Sequence, residues 1–212
     1  LASEGLLSTR SRWARPVFER VFREHGLPDA ILTDNGPPFA VWNAICGLSA
    51  LGVWWIQLGI RHHRIEPGKP QQNPRHERMH RTLKDETLHP PACNAREQQA
   101  RFDVFRELYN EVRPHESLQQ RPPGSWYESS SRRMPKRLPP VSYPGHFKRA
   151  RVNHNGTIWI ASVNVYLGYL LRGEEVGLEQ IGHELWEVYL GEYRICRINK
   201  YKKEPLTLLG NA

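Results

Sequence analysis

The chain has 212 residues and a mass of 24.7 kDa, is 39% hydrophobic and 25% charged, and sets 30 Lys+Arg against 22 Asp+Glu for a formal net charge of +8. Seven tryptophans and this apolar share exclude a disordered tail and supply material for one good core or two modest ones. The longest apolar candidate, 51–60, is too short for a bilayer and contains Gln57, which argues against a membrane protein, and three widely spaced cysteines, Cys46, Cys93 and Cys196, argue against a disulfide framework or a zinc knuckle.

The opening LASEGLLSTR has no basic stretch followed by an apolar one and does not read as a secretory leader; with Leu first, the chain is expected to start inside a larger reading frame. Ala14, Val17, Phe18, Val21 and Phe22 recur at helical steps and predict a helix over 11–25, stopped by Gly26. Pro16 is expected in its first turn, or at a kink if the helix starts at Ser8. The run Ala30-Ile31-Leu32-Thr33 predicts a buried strand that ends at Asp34-Asn35-Gly36-Pro37-Pro38. A helix interrupted near Gly47 and Gly52 is expected over 41–58, then a short strand within 59–65 and a turn-rich loop over 66–73. Pro74, with Asn73 as N-cap, opens a helix to about Thr87. Asn94 and Glu97 have capping-box spacing and announce another, whose stripe is Phe102, Phe105, Leu108, Tyr109 and Val112 and which Pro114 ends. Residues 121–144 hold six prolines and read as a linker. Five β-prone runs follow, at 157–161, 163–167, 175–179, 185–190 and 193–198, and suggest a small barrel of SH3-like or OB type.

Two patterns could carry chemistry. His76-Glu77-Arg78-Met79-His80 matches HExxH, whose histidines bind zinc and whose Glu activates water. That reading needs a third ligand and an apolar setting, whereas Arg75, Arg78 and Arg81 surround the histidines and oppose a dication. The plainer expectation is a solvated basic helix face. The second pattern places Asp34 at a strand end and Glu77 in the first turn of a helix, with Arg81 and Lys84 one and two turns along the same face. Carboxylates converging from different elements suit Mg²⁺ or Mn²⁺ in a two-metal phosphoryl-transfer site, and the two cations would hold phosphates beside it. Met79 and Leu83, on the other side, are expected in the core.

The stretch from Gly26-Leu27-Pro28-Asp29 through Thr33-Asp34-Asn35-Gly36-Pro37-Pro38-Phe39 resembles the second-carboxylate motif of integrase-core (DDE) transposases from bacterial insertion sequences, relatives of retroviral integrases. Pro70-Gln71-Gln72-Asn73 through Lys84-Asp85-Glu86 resembles their third-carboxylate helix, and Tyr109-Asn110-Glu111-Val112-Arg113-Pro114-His115, with Leu118, Pro122 and Pro123, their closing segment. The resemblance covers about residues 10 to 130. It implies an α/β, RNase H-like core; metal-dependent DNA cleavage and strand transfer in transposition; Asp34 and Glu77 as second and third metal ligands; and Arg81 and Lys84 as DNA contacts. It also implies DNA, both element ends and target, as partner, a homo-oligomer for the full-length protein, and a bacterial cytoplasmic, nucleoid-associated location. Three features depart from the family pattern, the first being Pro74 where such elements often have Gly. Between Asp34 and Glu77 lie 42 residues, more than is usual, which places an insertion within 47–55. None of the acids before Asp34, namely Glu4, Glu19, Glu24 and Asp29, has the context of a first carboxylate. The first-acid strand is therefore expected to be missing and the chain alone to be inactive.

Arg132, Arg133, Lys136, Arg137, Lys148, Arg149 and Arg151 fall in a stretch without an acid, and the rest of the chain holds 23 Lys+Arg against 22 Asp+Glu. Such a segment releases counterions from phosphates and binds DNA in a salt-dependent way. Trp159, Trp186, Tyr166 and Tyr189 are expected in the barrel core, not on base-stacking surfaces. The resulting plan is a partial integrase core over 1–130, a basic Pro-rich linker over 131–151, and an SH3-like DNA-binding barrel over 152–205. A non-catalytic DNA-binding remnant is the main alternative and an HExxH zinc peptidase the remote one.

Overall fold

The computed structural model describes residues 1–160 and 162–199, and the backbone alone of 205–206. In chain order its main elements are α1 (Ser11–His25), β1 (Ala30–Thr33), α2 (Ala50–Gln57), β2 (Arg61–Arg64), α3 (Pro74–Thr87) and α4 (Ala95–Glu107), followed by β3 (Lys148–Arg151), β4 (Thr157–Ile160), β5 (Val163–Tyr166), β6 (Glu175–Gln180), β7 (Leu185–Leu190), β8 (Tyr193–Asn199) and β9 (Pro205–Leu206). These gather into two compact units, each made of two stretches of sequence. One joins Leu1–Leu27 to Ile65–Met134, and the other joins Pro28–Arg64 to Pro135–Ala212.

The first unit is helical. α1 buries Ala14 and Phe22, and it stops where expected, at Gly26, whose N–H donates to Phe22 O at 2.9 Å. Gly26 has φ +79°, and a Cβ there would lie 2.4 Å from Ser130 O, so both backbone conformation and space require glycine. Pro16 sits inside this helix, beyond the first turn, and leaves the Arg12 carbonyl without its helical donor. α3 begins at Pro74 as the sequence predicts, but Asn73 makes no side-chain cap; its backbone carbonyl accepts from Glu77 N at 3.2 Å, and the first turn is exposed to water, which can satisfy the remaining N–H groups. Met79 and Leu83 are half-buried, and Thr87 is the buried residue of the helix. The far end of α3 is tied to α4: Gln98 Nε2 donates to Thr87 O at 3.0 Å. Asn94 caps the helix as predicted, its Oδ1 accepting from Glu97 N at 3.0 Å, but Glu97 Oε1 accepts from the Asn94 side-chain Nδ2 at 2.8 Å and not from the backbone N–H of a full capping box. α4 then widens into a π-turn over Leu108–Val112.

The second unit starts with a strand–helix–strand element. β1 and β2 run parallel, from Ala30 opposite Arg61 to Thr33 opposite Arg64, with α2 as the crossover. α2 is apolar all round and buries Leu51 through Ile56. It starts at Ala50, not near residue 41, because Ser49 caps it, its Oγ accepting from Gly52 N at 3.1 Å, and a tight turn at Ile45–Gly47 precedes it. Gly47 has φ +63°, and a Cβ there would strike the Arg64 guanidinium, which is committed to Cys46 O at 2.7 Å. β1 is less buried than its composition predicts. Leu32 is 46% exposed and Thr33 is the strand's buried residue.

The C-terminal runs form strands within a residue or so of their predicted limits. β6, β7 and β8 are consecutive antiparallel neighbours, β3 pairs along β6 and β9 along β8, while β4 and β5 form a separate hairpin. No ladder joins the hairpin to the larger sheet among the described residues, so the strands are two sheets around one core. Lys148–Arg151, expected in the linker, is the strand β3: its backbone pairs with β6 although its side chains offer no apolar alternation. One cluster unites Val152, Ile158, Ile160, Val165, Leu167, Val176, Val188 and Ile195 with Cys46, Leu48, Val53 and Ile56 from the α2 region. On the sheet, the buried Glu187 accepts from Arg194 Nη1 at 3.0 Å, Arg197 Nη2 at 2.7 Å and the Tyr189 hydroxyl at 2.7 Å. Burial opposes its ionisation, but the Arg197 and Tyr189 hydrogen bonds and both guanidinium charges outweigh that and hold it below the usual carboxylate range.

Candidate functional site

Asp34 follows the last residue of β1, where the chain must leave the strand. Its Oδ1 accepts from Gly36 N at 2.9 Å, closing an Asx-type turn, and Phe39 N returns to Gly36 O at 2.9 Å. Phe39 then stacks on the buried Trp55 with ring centroids 6.0 Å apart, which fixes the exit of the loop. The carboxylate itself is exposed. Behind it, Thr33 Oγ1 donates to Asp34 O at 2.9 Å and lies 2.9 Å from Nε2 of the buried His62. Burial is the main reason, with Arg64 and His63 adding repulsion, that the His62 pKa falls to about 4. In the sequence His62 has no signal beyond that of a loop histidine; its place on β2 opposite Ile31 is what makes it structural.

Glu77 lies in the first turn of α3 and is half exposed, with Oε1 4.0 Å from His76 Nδ1. A carboxylate there complements the positive end of the helix dipole. Arg81 and Lys84 follow on the same face and are exposed, so three charged groups line one side of the helix toward solvent. The His76 and His80 rings stack 5.7 Å apart, and desolvation, Lys84 and His76 together lower the His80 pKa. Among the described residues no group of three or more His, Cys, Asp or Glu is placed to hold a metal. Asp34 and Glu77 belong to different compact units, and each is fixed by the local structure of its own. Their hard oxygen donors have the chemistry that Mg²⁺ or Mn²⁺ takes.

The seven cations of 132–151 are not equivalent. Arg132 and Arg133 belong to the helical unit, the other five to the sheet-bearing one. Arg133, Lys136 and Arg137 are exposed. The Lys148 ammonium lies 5.0 Å from the centre of the Trp186 ring, Arg149 pairs with Glu175 at 3.6 Å, and Arg151 Nε donates to Gly173 O at 3.2 Å.

The closing segment has a structural task that its sequence does not announce. Arg113 bonds to Glu86 on α3 while its guanidinium stands 5.8 Å from the rings of both Phe105 and Tyr109, and Tyr109 meets His115 edge-on at 4.8 Å. These residues lock α3 against α4 and thereby fix the helix that carries Glu77.

The integrase core domain family matches residues 58–123, which contain α3 and that closing segment. The insertion element IS476 uncharacterized 39.2 kDa protein of Xanthomonas euvesicatoria is 37% identical over 103 residues, 48% of this chain and 28% of that one. The insertion element IS407 uncharacterized 31.7 kDa protein of Burkholderia multivorans is 33% identical over 106 residues, 48% of this chain and 35% of that one. The chain is thus similar to the integrase core domain family over residues 58–123 and, over about half of its length, to proteins of bacterial insertion elements. The chain spans about a third of the length of these curated relatives. The family match contains Glu77, Arg81 and Lys84, whereas Asp34 precedes it. A solved chain described as the cryoEM structure of simian T-cell lymphotropic virus intasome in complex with PP2A regulatory subunit B56 gamma covers 90% of this chain and 64% of its own, at 15% identity and a TM-score of 0.34, a likeness too slight to carry a conclusion. No helix among the described residues is long and apolar enough to cross a membrane.

Proposed function

We propose that this chain is part of a transposase whose reaction is metal-dependent cleavage and strand transfer of DNA, with Asp34 and Glu77 as the second and third metal-binding carboxylates. The observation that carries the reading is the family match over α3, where Glu77, Arg81 and Lys84 share one exposed face. When bound, Mg²⁺ or Mn²⁺ would activate the attacking oxygen and offset charge on the leaving one. The protein's own share is to hold the two carboxylates, by the turn at Gly36 and by the first turn of α3, and to fix phosphates with Arg81 and Lys84. The exposed cations of 132–151 and an SH3-like module built from the C-terminal strands supply binding to element ends and target, and the working form is a homo-oligomer acting in the bacterial cytoplasm.

Asp34 and Glu77 are fewer carboxylates than this chemistry uses, so the chain by itself binds DNA without cutting it. The test is a strand-transfer assay on donor-end duplex with Mn²⁺. Salt-dependent binding without product is expected. Product that disappears in Glu77→Gln would overturn the inactivity, and the absence of any salt-dependent DNA binding would overturn the DNA reading.

A further inference from the structure

The hairpin β4–β5 turns its aromatic side chains outward. Ile158, Ile160 and Val165 alternate into the core, which puts Trp159 and Tyr166 on the opposite face, 67% and 48% exposed, against the expectation that both belong to the core. Trp159 stands opposite Asn164 and Thr157 opposite Tyr166, so the two aromatic residues are diagonal neighbours across the pair. Tyr169, 61% exposed, meets Tyr166 edge-on at 5.7 Å, and the Arg172 guanidinium lies 5.7 Å from the Tyr169 ring. Beside them a cavity of about 360 Å³ opens between 166–170 and Asn43–Ile45. Asn43 offers a base edge both a donor and an acceptor.

The hairpin and the 166–173 loop carry no carboxylate of their own, since no acid occurs between Glu128 and Glu174. Arg172 lies against Tyr169, and Arg151, which stands opposite Glu175 on the β3–β6 pair, is anchored on Gly173 O. Aromatic rings next to cations, on a hairpin and loop without acids, suit a flexible polyanion that carries flat rings of its own. In duplex DNA those rings are already stacked on each other, so only an unpaired strand can offer them.

We infer that this face is a stacking platform for unpaired nucleotides of a DNA strand, with bases on Trp159, Tyr166 and Tyr169 and phosphates on Arg151 and Arg172. The inference rests on the reading that DNA is the partner and adds the form of DNA that is held. Fluorescence anisotropy of the whole chain with oligothymidine and with a blunt duplex of equal length tests it. Trp159→Ala and Tyr169→Ala should each weaken oligothymidine binding about tenfold and barely change duplex binding, with the salt slope intact and Trp159→Phe restoring affinity. Arg151→Gln and Arg172→Gln should each reduce the single-strand salt slope by about 0.7. Aromatic variants that bind oligothymidine like the parent, or that lose strand and duplex alike, overturn the platform. A parent chain that binds neither DNA overturns the underlying DNA reading. A concentration-dependent dimer dissolved by Trp159→Ala overturns the platform in favour of self-association.

Discussion

His62 Nε2 and Thr33 Oγ1 are 2.9 Å apart, one residue behind the exposed carboxylate of Asp34. The Thr33 hydroxyl proton is committed to Asp34 O, so the imidazole donates through Nε2, and burial opposes a second proton on the ring. Folding therefore holds His62 in a state that an unfolded chain abandons below the usual imidazole pKa.

The first prediction follows from that. With a folded pKa of about 4 against 6.5 unfolded, the contribution is fully present above pH 6.5 and is lost as pH falls through about 4. Between pH 7.5 and 5 the loss is at most about 2 kcal/mol. Urea unfolding at the two pH values should show it in the parent and a flatter dependence in His62→Gln, since the other histidines are common to both. Equal pH dependence in both chains would contradict the assignment.

Glu187 gives the second. Its side chain is 6% exposed, while the two guanidinium groups beside it are 33% and 34% exposed, and replacing it leaves those half-buried cations without a counter-charge. Glu187→Ala should cost about 3 kcal/mol in denaturant unfolding, and Glu187→Gln, which keeps an acceptor for Arg197, should cost less. A loss below about 1 kcal/mol for the alanine variant would mean that water reaches this network as it reaches surface pairs.

The third concerns the cationic segment. Arg133, Lys136 and Arg137 are exposed, whereas Lys148 lies on Trp186 and Arg149 is paired with Glu175. Replacing the first three by Gln should lower the salt slope of duplex binding by about 0.9 for each phosphate no longer neutralised, and replacing Arg149 should lower it less. Measured slopes in the opposite order would contradict the assignment of the exposed three as phosphate ligands.

Much of this architecture is legible in the sequence because local signals agree. α1 and α3 have the predicted limits because Gly26 and Pro74 admit few alternatives there, and β7 coincides with its β-prone run at both ends. The positions of Asp34 and Glu77 within their own elements are legible for the same reason. Exposure is harder to read. Hydrophobicity points Trp159 and Tyr166 inward, although strict alternation with Ile158, Ile160 and Val165 turns them out. Trp42, expected inside a helix, is fully exposed in the loop before the 45–47 turn. β3 is hidden because a strand of Lys-Arg-Ala-Arg is specified by the backbone edge of β6 and not by its own side chains. His62 is hidden because its partner lies 29 positions away.

The chain passes from one compact unit to the other after Leu27, Arg64 and Met134. No single cut can therefore release either unit whole. A fragment starting at Pro135 would carry the sheet without Cys46, Leu48, Val53 and Ile56, leaving its core open on that side. A fragment ending at Met134 would contain α2 with nothing from that sheet to cover it. Limited proteolysis of this chain should accordingly yield nicked protein that stays together, not separable domains, and deletion mapping by simple truncation will register the collapse of a shared core before it registers the loss of any site.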